Sequence, residues 1–190
     1  MEPVTHLIID AFCSPYRMRE GRNALKLLRS INSSMLLMWY RGLHSFLLRW
    51  FMLSSNNKVF FLGRLPAHVR FEVVKTLTDG SYLPWIPPDR VSRKKGAKRI
   101  SAHIIEYVIN ENGTLKTYRL ITNLIDVDKF PALILAQDSH KRWEAENTLD
   151  ELKVHLLARK IPILSKSHRE VVQEIYGWLL VQYCLRCLIF

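Results

Sequence analysis

The chain has 190 residues, of which 48% are hydrophobic; this is enough for a packed core and excludes wholesale disorder. Lysine and arginine number 28 against 17 acidic residues, which gives a net charge of +11 and a pI near 9.8. This excess favours a polyanionic partner, nucleic acid before an anionic membrane. Three cysteines are too few for a disulfide framework, so we expect a reducing, cytoplasmic setting in which Cys13, Cys184 and Cys187 are core thiols.

We expect neither a signal peptide nor a membrane span. The first ten residues, MEPVTHLIID, have an acid at position 2 and lack the basic start of a signal peptide. The last twenty are long and apolar, but Gln173, Glu174, Gln182 and Arg186 interrupt them, and polar groups are costly inside a bilayer. These residues therefore predict a buried helix.

The beginning of the chain alternates strand and helix patterns. THLIIDAF (5–12) is a short apolar run that predicts a buried strand, and EGRNALKLLRSI (20–31) has helical apolar spacing. SMLLMWY (34–40) predicts another strand, which Gly42 breaks, and HSFLLRWFML (44–53) resumes helical spacing. The alternation predicts an α/β fold.

Residues 58–126 have a different pattern, with β-rich runs separated by turn signals. The runs are KVFFLG, RFEVVKTL, SYLPWI, RISAHIIEYVI and TLKTYRLITNLI. Asp79-Gly80 and Asn112-Gly113 supply the positive φ angles that tight hairpins need, so we expect an antiparallel β insertion. The insertion contains the densest cationic run, RVSRKKGAKR (90–99), which is either a solvated loop or a loop that contacts phosphate.

A helical stretch from residue 138 to 156, DSHKRWEAENTLDELKVHL, carries a stripe of charge. With Arg142 at zero, Glu146 falls at roughly 40° and Lys153 at roughly 20° around a helix. One interpretation is an ordinary exposed face with helix-surface ion pairs. The other is a carboxylate that two cations keep ionised for a divalent metal, while the cations contact phosphate.

The spacing of Arg142, Glu146 and Lys153 resembles the Tyr-Arg-Glu-Lys signature of bacterial insertion-sequence transposases. These belong to the DDE (Asp, Asp, Glu) class and have a ribonuclease-H-like fold. MREGRNALKLLRSI, YRGLHSF, LTDGSYL and YRLITNLID are also similar to family segments, in the expected order. The resemblance implies that Glu146 is the catalytic, metal-binding glutamate, with Mg²⁺ activating water and then a 3′-OH. Transposon-end DNA would be the partner.

The resemblance also implies which cations contact DNA. Arg142 and Lys153 belong to the signature itself, and Arg41 follows the second carboxylate position. Arg93, Lys94 and Lys95 lie in the cationic run of the insertion.

Several departures from the family predict that this chain is inactive alone. Ser139 replaces the signature tyrosine, and Tyr40 stands where the family has its second Asp, directly before Arg-Gly. A phenol is neutral at pH 7 and cannot replace a carboxylate in a magnesium site. We further expect the first Asp to be absent because the family places it upstream of residues 5–12, so Mg²⁺ would not bind productively.

The expected architecture is an incomplete, N-terminally truncated ribonuclease-H-like α/β fold, partly assembled and with unpaired strand edges. Its parts are the first section of the core (1–57), a β-rich insertion with a return strand (58–126) and C-terminal helices that carry the signature (127–190). The leading hypothesis is a degenerate C-terminal part of a DDE transposase that retains DNA binding. The alternative is a non-catalytic DNA-binding or interaction module that modulates an intact transposase through homo- or hetero-oligomers.

Overall fold

The computed structural model describes residues 8–15, 17–18, 20–33, 35–43, 45–54, 59–111, 113–141 and 163–189. The helices are α1 (Glu20–Leu27), α2 (Phe46–Ser54), α3 (Arg90–Lys94), α4 (Ala132–Lys141) and α5 (His168–Ile189). Two 3₁₀ turns cover Leu28–Ser30 and Arg41–Leu43. The strands are β1 (Leu36–Trp39), β2 (Phe60–Arg64), β3 (Val73–Thr76), β4 (Tyr82–Ile86), β5 (Ile100–Ser101), β6 (His103–Glu111) and β7 (Thr114–Thr122).

Contacts divide the chain into two units, residues 16–140 and residues 1–15 with 141–190. The first unit is a mixed α/β structure around a seven-stranded sheet with the order β1-β2-β7-β6-β4-β3 and β5 beside β4. β1 and β2 are parallel, and the remaining pairs are antiparallel. This architecture is compatible with a ribonuclease-H-like fold.

The predicted hairpins are confirmed. Gly80, between β3 and β4, and Gly113, between β6 and β7, both have φ angles of 82°. Side chains with a Cβ rarely adopt this conformation, so both turns depend on glycine. The β6–β7 ladder runs from His103 opposite Thr122 to Glu111 opposite Thr114, and it is the longest pairing in the described sheet.

The sheet separates two apolar clusters because successive strand residues point to opposite faces. Phe61, Ile104 and Ile121 belong to the first cluster, which also includes α2 residues. Their neighbours Leu62, Ile105 and Leu120 belong to the second, together with Leu135 and Ala136 of α4. The unit therefore has helices on both faces of its sheet.

Close packing at one end of the sheet requires a glycine. Trp39 is 3% exposed and lies against Gly63, its partner in the β1–β2 register. A Cβ at position 63 would stand 2.0 Å from the Trp39 ring. Trp39 is therefore a core residue.

Two local predictions are wrong. Residues 8–12 form no strand, because a strand exists only where its backbone pairs with another and no described strand lies beside them. The cationic run expected as a loop begins with helix α3, because the Asp89 side chain accepts a hydrogen bond from Ser92 N at 2.7 Å and caps it.

In the second unit, α5 begins at His168 with a capping box. Ser167 N donates to Glu170 Oε2 at 3.4 Å and Glu170 N donates to Ser167 Oγ at 3.3 Å, a reciprocal capping box. Glu174 accepts hydrogen bonds from the preceding segment, including one of 2.7 Å from Ser165 Oγ. Tyr176 Oη donates to Ala11 O at 3.2 Å and so links α5 to residues 8–15.

The expectation that α5 is buried is wrong for many of its side chains. Leu180 is 63% and Leu188 84% exposed, and the expected core thiols Cys184 and Cys187 are exposed, while Cys13 is half-buried. Among the described helices, none combines the length and apolarity that crossing a bilayer requires.

Candidate nucleic-acid interface

Tyr40 and Arg41 lie together where β1 ends. Arg41 Nε donates a hydrogen bond of 3.0 Å to Tyr40 Oη, and the guanidinium lies 5.6 Å from the centre of the Tyr40 ring. Tyr40 is 40% exposed, so the edge of the sheet presents a phenol and a cation to solvent. A phenol beside an arginine can contact a phosphate oxygen, but it supplies no anionic metal ligand.

The second predicted group of cations lies on and after α3. Arg93 and Lys94 occupy its last turn, Lys95 is its C-cap, and all three side chains are exposed. Gly96 follows with a φ angle of 76°, and its backbone N–H reaches Arg93 O at 3.0 Å. Asp89 therefore caps a short helix whose positively charged side chains are exposed to solvent.

Arg142, Glu146 and Lys153 lie outside the described residues, whereas Ser139 is a half-buried residue of α4. The structure thus brings Tyr40 and Arg41 together and places Arg93, Lys94 and Lys95 on one element.

A partly buried polar network that the sequence did not predict joins four segments of the first unit. His103 is fully buried; its Nδ1 donates to Leu124 O at 2.6 Å, and its Nε2 lies 2.6 Å from Ser81 Oγ. Ser81 also donates from both its hydroxyl and its backbone to Asp79. The other Asp79 oxygen accepts from Ala132 N at 3.3 Å, at the start of α4.

The environment of Asp79 favours its ionised form. Burial alone would raise the pKa of this carboxyl, but hydrogen bonds from Ser81 and Ala132, together with nearby His103, outweigh it. The pKa of Asp79 is therefore lowered. The only signal in the sequence was the Asp-Gly-Ser turn, because His103 and Ala132 are remote from it along the chain.

This network is not a nucleophilic triad. Such a triad needs the histidine between the acid and the hydroxyl, whereas here the Ser81 hydroxyl lies between Asp79 and His103. Ser81 and His103 are also buried, at 3% and 0% exposure. The network instead stabilises the fold by joining the turn after β3 to β6 and to the start of α4.

Part of the metal site that the resemblance implies lies outside the described residues. Tyr40 occupies the expected second carboxylate position, and Glu146 is not among the described residues. Within the described ranges, no three His, Cys, Asp or Glu side chains form a group that could hold a metal ion. No reaction step through Mg²⁺ follows from this geometry.

Comparison with known proteins identifies one distant relationship. The transposase InsG of insertion sequence element IS4 from Escherichia coli is 24% identical to this chain over 190 residues. The match covers 98% of the chain but 42% of the relative, so the chain spans less than half of that transposase. No protein-family model matches the chain. The chain is thus distantly similar to an insertion-sequence transposase.

Proposed function

We propose that the chain acts in DNA transposition as a DNA-binding segment of a DDE-type transposase and does not cut DNA by itself. The observation that carries this proposal is the distant identity to the transposase InsG along 98% of the chain. Because the chain spans 42% of that relative, we propose DNA binding rather than the complete catalytic activity of a transposase.

Charge supports the DNA-binding half of the proposal. The chain carries +11, and exposed cations occur at Arg41 and on α3 at Arg93, Lys94 and Lys95. Cations that contact phosphates release condensed counterions, which makes binding strong at low salt and weak at high salt. Arg142 and Lys153 join this set by their place in the signature.

The end of β1 supports the non-catalytic half. Tyr40 lies where the family has a carboxylate, and its hydroxyl accepts a hydrogen bond from Arg41. A neutral phenol supplies neither the charge nor the ligand geometry that Mg²⁺ requires. Glu146, the proposed glutamate of the signature, would therefore lack its partner from β1. This favours a module that occupies transposon ends or joins the complexes of an active transposase.

The domain division keeps its proposed form: a core section at 1–57, a β-rich insertion and return strand at 58–126, and signature helices at 127–190. Under this division α3 belongs to the insertion. DNA would then be contacted by both the core and the insertion.

The test combines binding and cleavage. Purified chain should bind duplex DNA with an affinity that falls steeply with salt, and Arg142→Ala/Lys153→Ala should weaken binding by about tenfold or more, since each lost phosphate contact removes about 0.9 from the salt slope. Glu146→Gln is the matched control for the same stretch and should bind at least as tightly. With Mg²⁺ or Mn²⁺, the chain should leave a transposon-end duplex intact. Nicking by the chain would contradict the proposal that it does not cut DNA. Binding that does not depend on salt would contradict the proposal that its cations contact DNA phosphates.

A further inference from the structure

An open cleft of about 1280 Å³ lies in the unit of residues 16–140, between α1, the start of α2 and the segment that joins β4 to α3. Its charged lining consists of Arg17, Arg22, Arg49 and Arg70 with Glu20 and Asp89. Four cations against two carboxylates leave the lining positive. A cleft that concentrates charge of one sign attracts ligands of the other.

The most buried of these cations is Arg49 on α2. It is 2% exposed, and this burial lowers the pKa of Arg49 to about 10, partly opposed by the charge of Asp89. Arg49 is still protonated at pH 7. Because charges in poorly hydrated surroundings are weakly screened, an anion in the cleft would interact with it more strongly than with a surface arginine.

Arg70 reaches the cleft from a loop that is held in place. Arg119 is 6% exposed and donates hydrogen bonds to the backbone oxygens of Ala67 and Val69. Val69 and Phe71, on either side of Arg70, pack against the first apolar cluster. Arg70 itself is exposed, so the loop presents a cation from a fixed backbone.

Ser92 contributes a hydroxyl that needs a partner. This residue lines the cleft and is fully buried, and its Oγ has no hydrogen-bond partner in the described part of the chain. Buried hydroxyls are normally paired, so one left open beside a cleft indicates a group that a ligand satisfies. A phosphate oxygen would accept from it.

The cleft also connects the two groups of cations at the candidate interface. Its lining includes Gly42, the residue after Arg41, and Ser92, the residue before Arg93. A ligand that follows the cleft would pass from the end of β1 to α3. The volume exceeds the roughly 300–1,000 Å³ typical of small-molecule sites, and the cleft is open, which favours a polymer over a free nucleotide.

We propose that this cleft binds the phosphodiester backbone of duplex DNA, with Arg22 and Arg70 as exposed contacts and Arg49 and Ser92 as buried ones. The proposal rests on the proposed DNA binding and deepens it by naming the surface that receives the backbone.

The decisive comparison uses Arg22→Gln/Arg70→Gln against the control Lys75→Gln/Lys116→Gln, which removes two exposed charges that do not line the cleft. Binding of a labelled duplex is measured by fluorescence anisotropy across a series of salt concentrations. The cleft variant should lose affinity by about tenfold or more, and its salt slope should fall by about 2, close to 0.9 for each lost phosphate contact. The control should retain the slope of the original chain.

Ser92→Ala provides a second measurement that does not depend on the arginines. It removes a hydroxyl without a described partner, so thermal unfolding should be unchanged while affinity falls by a few-fold. If the original chain binds no duplex DNA, the proposed function fails and this inference with it. If the chain binds but the cleft variant matches the control and Ser92→Ala has no effect, the cleft inference alone is overturned.

Discussion

The first unit contains two polar clusters that differ in whether their buried hydroxyl groups have described hydrogen-bond partners within the protein. In the network of Asp79, Ser81 and His103, each side chain forms a hydrogen bond with another protein group. Ser81 and His103 are almost completely excluded from water. In the cleft, arginines outnumber carboxylates and the Ser92 hydroxyl lacks a described partner. A satisfied cluster stabilises the fold, whereas a buried hydroxyl without a described partner can accept a ligand as its partner.

The difference follows from where each cluster lies. Asp79 and Ser81 belong to the turn between β3 and β4, His103 starts β6, and Ala132 starts α4. Their hydrogen bonds join elements that must pack together in any case. The cleft instead separates α1 and α2 from the segment leading to α3, so the exposed charges of Arg22 and Arg70 face an open space.

The largest expected effect comes from removing the centre of the network. His103→Ala deletes a fully buried ring and leaves Ser81 Oγ and Leu124 O without this partner. We expect the free energy of unfolding to fall by about 3 kcal/mol, since lost packing and buried unpaired groups add. Urea unfolding measures this, with the exposed His68→Ala as control. A loss below about 1 kcal/mol would mean that the network is not structural.

A smaller effect separates stability from binding at Asp89, which caps α3 and lines the cleft. Asp89→Ala removes both the cap and a negative charge, so stability should fall by about 1 kcal/mol while duplex DNA binds more tightly. Asp89→Ser keeps a capping oxygen but not the charge, so it should lose less stability and gain similar affinity. Thermal unfolding and anisotropy titrations on the same samples measure both. Weaker binding by both variants would contradict the assignment of the cleft to DNA.

The smallest expected effect is a change in pH dependence. Because the folded pKa of Asp79 is lowered, its ionised form stabilises the fold; this contribution is present above the unfolded value of about 3.8 to 3.9 and is lost as pH falls through the folded value. Asp79→Asn should therefore be less stable than the original chain near pH 6, and the gap should narrow as pH falls below about 4. Urea unfolding at several pH values measures the gap, and a gap that stays constant would refute this role.

Local patterns in the sequence were sufficient where the controlling physics is local. Gly80 and Gly113 identified the two hairpins because a positive φ angle is a property of one residue. Ser167 and Glu170 form the capping box at the start of α5, which is also a local feature because it spans one turn. The prediction of a loop at residues 90–99 is wrong although the controlling signal is local, because Asp89 directly precedes the run and caps α3.

The sequence by itself determined that this chain is basic, mixed α/β and distantly similar to transposases, because composition, periodicity and identity are all properties of residue order. Only the tertiary structure decided which polar residues meet. Arg22 and Arg70 come from separate segments and line one cleft, while His103 reaches Ser81 only because β4 pairs with β6. Such contacts depend on sheet order and register, which arise from packing the whole unit and leave no repeating pattern along the chain.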